Sequence, residues 1–313
     1  MKKLVVSSSP HIHSPISTRR IMLDVIIALL PAAVAGIVIF GMRALAVLCV
    51  TVAASVFSEF VFNLIVKKEQ TVDDLSAIVT GLLLGLNLRA DAPLWQCAIG
   101  AIFAIVVVKC LFGGLGCNFA NPAITARVFL VIAFTGTIGG GAVPKFSNAP
   151  ELVSGATPLD VIGTSGDLPS ILDMLLGLRG GAIGETCIIA LLLGFVYLVV
   201  RRIINFEIPL IFVGTVFLLY LIADSSITTA LYQILSGGLM LGAIFMATDY
   251  VTTPITRSGK MVFAFGCGLI TFLIRYFGSY PEGVSYAILL MNILSPYIEK
   301  LTAPKALGGA KNG

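Results

Sequence analysis

Charge is what this sequence has least of. Lys and Arg number 20 and Asp and Glu 16 among 313 residues, 12% together, against 58% apolar. A soluble domain carries about a quarter charged residues, so a water-soluble globule is excluded and a chain immersed in lipid is expected. The formal net charge of +4 does not point to nucleic acid, because the basic residues cluster beside apolar runs, where they orient a membrane protein. Histidine is scarce too: His11 and His13 lie in the polar N-terminal tail, and no metal site is expected. None of the six cysteines forms a C-x-x-C pair, and five lie in or beside apolar runs, as small buried hydrophobes do. No G-x-G-x-x-G opens a helix after a strand, so any nicotinamide chemistry belongs to a partner. The residues through Arg20 include no apolar run and no small-residue cleavage site, so the first span is expected to stay as an uncleaved anchor.

What is present is a series of ten apolar segments: roughly 21–41, 45–66, 75–88, 95–112, 121–135, 182–200, 208–223, 229–247, 261–277 and 283–299. Crossing the hydrocarbon core takes about 20 residues of helix. The third and fifth segments are too short to span alone, and Asp73, Asp74, Arg89 and Asp91 flank the third. Short, glycine-interrupted segments in corresponding places of two halves mark broken helices. The halves do correspond: Thr80-Gly81-Leu82-Leu83-Leu84-Gly85 resembles Gly237-Gly238-Leu239-Met240-Leu241-Gly242, and Phe112-Gly113-Gly114 matches Phe277-Gly278-Ser279. A unit of five is odd, so its second copy is inserted upside down.

The expected fold is therefore an all-α integral membrane protein of about ten transmembrane segments, arranged as two inverted five-segment repeats with short or broken helices. Its parts are a cytoplasmic tail (1–20), a first membrane repeat (21–135), an extracytoplasmic loop (136–181), a second repeat (182–299) and a cytoplasmic C-terminal tail (300–313). With the N-terminus inside, the inner face receives thirteen Lys and Arg and the outer face five, in keeping with the positive-inside rule.

Polar side chains within apolar segments are expensive and mark sites. Glu59 and Asn63 lie four apart on one helical face. Glu59 is either neutralised by Arg127 or serves as a proton or cation site. Asp24, Lys109 and Glu185 stand near segment ends, where they are expected to snorkel to the interface. Asp249, in Thr248-Asp249-Tyr250-Val251-Thr252, either caps a turn or joins Glu59 in an ion pathway.

The stretch from Gly136 to Gly180 makes a loop of about 45 residues, and loops this long are functional or disordered. Within it stands Ser154-Gly155-Ala156-Thr157, followed by Pro158-Leu159-Asp160. One reading is a helix start, with Thr157 as N-cap, Pro158 first and Asp160 capping. The other is covalent attachment: Gly155 and Ala156 leave the Thr157 hydroxyl bare to a phosphate-bearing group, which a helix N-terminus would stabilise.

Four motifs in order carry a resemblance: Gly116-Cys117-Asn118-Phe119-Ala120-Asn121-Pro122-Ala123, Ser154-Gly155-Ala156-Thr157, Met246-Ala247-Thr248-Asp249 and Pro281-Glu282-Gly283-Val284-Ser285-Tyr286-Ala287. From Ser14-Pro15 to about Pro296 the chain resembles the D subunits of Rnf complexes. It is similar, more distantly, to the B subunit of the sodium-pumping NADH:quinone oxidoreductase.

The resemblance implies FMN joined through its phosphate to Thr157 by a separate flavin transferase, with Ser154, Gly155 and Ala156 completing the motif. Glu151 stands where the family often has Asp. It also implies a second flavin, riboflavin, and partners of the A, B, C, E and G types. The complex would sit in the inner or plasma membrane and couple electron transfer between ferredoxin and NAD⁺ to Na⁺ or H⁺ translocation. Such a subunit is not catalytically complete alone, and reaches ferredoxin and NAD⁺ only through partner subunits. The competing class is a urea- or ammonium-type channel, which shares inverted five-segment repeats but needs no S-G-A-T on an outer loop.

Overall fold

The computed structural model describes residues 17–139, 142, 159, 169–278 and 282–304. Each of the ten apolar segments carries helix. In order these are α1 (Thr18–Phe40), α2 (Met42–Val66), α3 (Ser76–Leu86), α4 (Leu94–Ile102) and α5 (Pro122–Ala133). Two short helices follow, α6 (Thr135–Ile138) and α7 (Ile171–Leu176). The second half comprises α8 (Ile188–Val200), α9 (Glu207–Asp224), α10 (Ile227–Leu235), α11 (Leu239–Leu241), α12 (Arg257–Phe277) and α13 (Val284–Thr302). Helix α4 runs on as a π-helix, Phe103–Cys110, and α11 does the same over Gly242–Met246.

Among the described residues, α1, α2, α9 and α12 are long and apolar enough to cross a membrane. A fifth candidate is the pair Ile227–Leu235 and Leu239–Met246, bent by 65°. The third and fifth sequence segments are indeed short, with 11 residues in α3 and 12 in α5. The bend between α10 and α11 falls at Ser236-Gly237-Gly238, where Gly237 has φ 64°, a conformation a side chain resists.

Local chemistry sets several boundaries. Asn121 caps α5, its side-chain oxygen accepting from the N–H groups of Ala123 (3.0 Å) and Ile124 (3.4 Å), with Pro122 first in the helix. Thr256 caps α12 by accepting from Gly259 N–H at 3.0 Å. Glycines let backbones approach, the usual device of packed membrane helices. A Cβ on Gly81 would lie 2.7 Å from Val52 Cα of α2, and one on Gly194 would lie 2.3 Å from the Ala28 carbonyl oxygen of α1. The repeat glycines differ in partner, since Gly242 packs on Val284 of α13.

The outward faces are apolar. Leu30, Val34 and Val38 of α1, Phe57 and Leu64 of α2 and Leu218 and Ile222 of α9 are all exposed. A surface so rich in contiguous apolar side chains suits lipid, not water. The chain is a membrane protein.

Candidate functional site

Two buried sets of charged side chains lie toward opposite ends of the helices. The first joins the last turns of α2, the start of α3 and the end of the π-helix. Lys109 Nζ donates to both oxygens of Glu59 at 2.9 Å and to Ser76 Oγ at 2.5 Å. Both charged side chains are only 2% exposed. Ser76 Oγ in turn donates to Asp74, whose carboxylate also accepts from Ser76 N–H at 2.7 Å. Thr71 Oγ1 donates to Glu59 Oε1 at 2.6 Å and accepts from Asn63 Nδ2 at 3.0 Å. Glu59 and Asn63 thus do share a face, joined through Thr71.

Arg127, the partner expected for Glu59, is elsewhere. Its Nη1 donates to Asn87 Oδ1, just past α3, and its Nη2 donates to Glu185 Oε1 (3.0 Å) and to Glu282 Oε2. Glu185 precedes α8 and Glu282 precedes α13, so this second set gathers α3, α5, α8 and α13 at one point. Lys109 and Glu185 do not snorkel; both are buried in ion pairs. Buried charge without a partner costs several kcal/mol, which is why each found one. Asp24 does sit near a helix end, accepting from Tyr197 Oη (2.8 Å) and pairing with Arg201 (3.2 Å).

Between the two sets runs a line of polar contacts. Asn87 Nδ2 donates to Leu83 O (2.7 Å) and reaches Met246 Sδ at 3.6 Å. The Met246 carbonyl accepts from Asn121 Nδ2 at 3.4 Å. Asn121 lines a cavity of about 100 Å³ whose wall also includes Ser76, Lys109, Asn118, Thr248 and Asp249. Asp249 does cap its turn: its carboxylate accepts from Val251 N–H (3.4 Å) and Thr252 Oγ1 (3.2 Å). Burial pushes its carboxyl above the ordinary value, and those two bonds oppose the shift. It lines the cavity as well.

Ser154, Gly155, Ala156 and Thr157 lie outside the described residues. Leu159, two positions on, is buried against the bend between α10 and α11. A Cβ on Gly237 would meet Leu159 Cδ1 at 2.7 Å and Arg275 Nη2 at 3.0 Å. Arg275 donates to the carbonyls of Gln233 (2.7 Å) and Ser236 (3.2 Å), while its Nε, the Nε of Arg179 and the Ser236 hydroxyl are buried with no hydrogen-bond partner among the described residues.

Comparison with known proteins covers nearly the whole chain. The model of the NQR2, RnfD, RnfE family matches residues 5–308. The D subunit of the Na(+)-translocating ferredoxin:NAD(+) oxidoreductase complex of Acetobacterium woodii is 47% identical, over 98% of this chain and 96% of that protein. The D subunit of the proton-translocating ferredoxin:NAD(+) oxidoreductase complex of Clostridium ljungdahlii is 40% identical, over 97% and 96%. The D subunit of an ion-translocating oxidoreductase complex of Stutzerimonas stutzeri is 38% identical, over 95% and 94%.

Proposed function

This chain belongs to the NQR2, RnfD, RnfE family, and on that premise we propose that it is the membrane-embedded D subunit of an Rnf-type ion-translocating ferredoxin:NAD⁺ oxidoreductase. It carries FMN on Thr157 through a phosphoester, passes electrons between subunits, and couples that transfer to Na⁺ or H⁺ translocation. The observation that carries the reading is full-length similarity to relatives bearing that name, joined to charged side chains buried at both ends of an apolar helical body. A urea- or ammonium-type channel gives no account of the S-G-A-T motif.

The ten segments form two inverted repeats of five, with both termini cytoplasmic and the Thr157 loop outside. The Glu59 set then lies toward the cytoplasm and the Arg127 set toward the outer face. Partner subunits of the A, B, C, E and G types handle ferredoxin and NAD⁺, a flavin transferase attaches the FMN, and riboflavin is a second flavin of the assembly.

The residues near Leu159 suit an anionic tether. Arg179 is buried and Arg275 half-buried, and their Nε groups, with the Ser236 hydroxyl, have no hydrogen-bond partner among the described residues and are donors that a phosphodiester can use. Bound FMN would supply one-electron chemistry, while the chain fixes its position. Glu59 and Asp249 bind the transported ion from the cytoplasmic side. Lys109 is the partner of Glu59 in the cation-free state, and the cavity beside Asn118 and Asn121 is lined by both Lys109 and Asp249.

The decisive test is Thr157→Ala, which should abolish in-gel flavin fluorescence while insertion persists. Thr157→Ser should keep some flavin, because the attacking group is a hydroxyl. Peptide mass analysis showing an unmodified Thr157 in an active complex would refute the attachment.

A further inference from the structure

Two long helices begin side by side at one end of the molecule. Helices α9 and α12 start at Glu207 and Arg257, and Arg257 Nε bonds Glu207 Oε1 at 2.7 Å. Further along, a Cβ on Gly268 of α12 would meet Thr215 Cβ of α9 at 2.6 Å, so the two run parallel and their positive dipole ends coincide. Against these ends lies another cavity, of about 210 Å³, whose wall includes Arg202, Asn205, Thr248, Tyr250, Thr253 and Lys260. A single water needs about 10–15 Å³, so there is room for a phosphate group. Among the described residues no acidic side chain lines it: Glu207 is paired with Arg257, and Asp249 bonds Val251 and Thr252 of its own turn.

The hydrogen bonds of that wall leave three side chains over. Tyr250 Oη donates to the Ile203 carbonyl, Thr248 Oγ1 to the Ile244 carbonyl (2.6 Å) and Thr253 Oγ1 to the Asp249 carbonyl (2.7 Å). Among the described residues Arg202, Asn205 and Lys260 are left without a side-chain hydrogen bond, and neither cation forms a salt bridge. Both cations stand where the backbone does not favour them. Lys260 is in the first turn of α12 with Arg257 and no acidic residue, at the end of a helix where positive charge is unfavourable. Arg202 follows α8 at φ 57°, the left-handed position that closes a helix and that glycine fills most easily. Its N–H donates to the Val199 carbonyl (3.0 Å) and that of Ile203 to the Leu198 carbonyl (2.9 Å). An anion in the cavity would offset the charge at α12 and take the free donors of both turns.

The surface beside the cavity is apolar. Phe206, next to Asn205, and Ile255, two residues past Thr253, are exposed. From Phe206 an exposed apolar line continues along α9 through Leu210, Leu218 and Ile222, at helical spacing. We propose that the cavity binds the phosphate of an anionic phospholipid, held by Arg202, Asn205 and Lys260, with the acyl chains along that line of α9. A soluble phosphate compound shares the headgroup chemistry but leaves the apolar line unused. Guanidinium and ammonium bonds to phosphate are of the strong, charge-assisted kind, and basic pockets between membrane helices on the cytoplasmic side seat such headgroups. The orientation proposed above puts this end at the cytoplasm. The lipid site itself rests on the membrane fold alone, and not on the flavin or the transported ion.

The test uses the full-length chain, purified in a neutral detergent and stripped of lipid. Phosphatidylglycerol, phosphatidylcholine and inorganic phosphate are titrated in separately, and bound species are counted by native mass spectrometry. Phosphatidylglycerol should bind the wild type at a saturable site, more tightly than phosphatidylcholine, and inorganic phosphate at equal concentration should not displace it. Arg202→Gln and Lys260→Gln should each weaken that binding about fivefold, and together about 25-fold. Arg202→Lys, which keeps the charge, should retain most of the affinity. A double variant that binds phosphatidylglycerol as tightly as the wild type overturns the proposal. If the double variant fails to insert, Lys260→Gln alone decides by the same criterion. Displacement by inorganic phosphate at equal concentration overturns the lipid assignment in favour of a soluble phosphate compound. A wild type that binds no phosphatidylglycerol overturns it as well, and leaves the cavity to an acidic segment of a partner protein. Flavin on Thr157, present or absent, moves none of these readings, so the function proposed above stands or falls separately.

Discussion

Replacing Lys109 by Met tests the assignment of its partner. The ammonium bonds both Glu59 oxygens at 2.9 Å with each side chain 2% exposed, so among the described residues Lys109→Met leaves the buried Glu59 with Thr71 alone to satisfy it. Breaking a buried pair on one side costs about 3–5 kcal/mol. At about 2.1 cal/mol/K per residue, a chain of 313 residues has an unfolding entropy near ~0.66 kcal/mol/K, so the midpoint should fall by roughly 5–8 °C. The double variant Glu59→Gln/Lys109→Met removes both charges and should recover most of that loss, because neutral replacement of a buried pair is often near neutral. Unfolding can be followed in detergent with a thiol-reactive dye, since Cys97, Cys110 and Cys267 are free and buried. A double variant as unstable as the sum of the two singles would show that the charges are not coupled and would refute the pairing.

Three further outcomes are expected. Glu59→Gln should slow Na⁺- or pH-dependent electron transfer in inverted vesicles more than it lowers flavin content; normal pumping would leave Glu59 as no more than a structural partner of Lys109. Ser147→Cys should react with an impermeant thiol reagent from outside and Ser258→Cys only from inside, and the opposite labelling would overturn the inside-positive orientation. Gly81→Ala should destabilise by about 1–3 kcal/mol through overpacking, because its Cβ would meet the α2 backbone, Val52 Cα at 2.7 Å and Thr51 O at 2.8 Å; an unchanged thermal midpoint would show that α2 and α3 can separate.

That each apolar segment carries helix is legible, because an apolar run satisfies its backbone polar groups within itself when it is helical. The shortness of α3 and α5 is legible for the same reason. The bend at Gly237 is foreshadowed by the paired glycine stretches. Pairing is not legible. Lys109 sits at the end of an apolar run, where a lysine normally reaches for water, and only the three-dimensional approach of α4 to α2 and α3 puts it on Glu59. Arg127 does not meet the Glu59 that the sequence suggests, because its partners flank helices of the other half, 58 and 155 residues away in sequence. Glu282 stands in a recognisable motif, Pro281-Glu282-Gly283, yet nothing in that text says which cation it meets. Asp249 is the more readable case, because a turn cap is local and its partners are two and three residues on.

The two π-helical stretches carry a consequence for insertions and deletions. A π-helix takes more residues per turn than an α-helix, and such bulges appear mostly as single-turn features at functional sites. Here one ends at Cys110, just after Lys109, and the other at Met246, just before Thr248 and Asp249. Losing one residue from the α-helical turn just before either stretch, with the wide turn kept, would rotate everything beyond it by about 100°. Lys109 lies inside the first stretch, so a deletion upstream of it would swing the ammonium away from Glu59. A deletion within α11 (Leu239–Leu241) would likewise carry Asp249 off the cavity wall. Chain length beside these two places therefore fixes the Glu59–Lys109 pair and the cavity wall as much as the side chains themselves do.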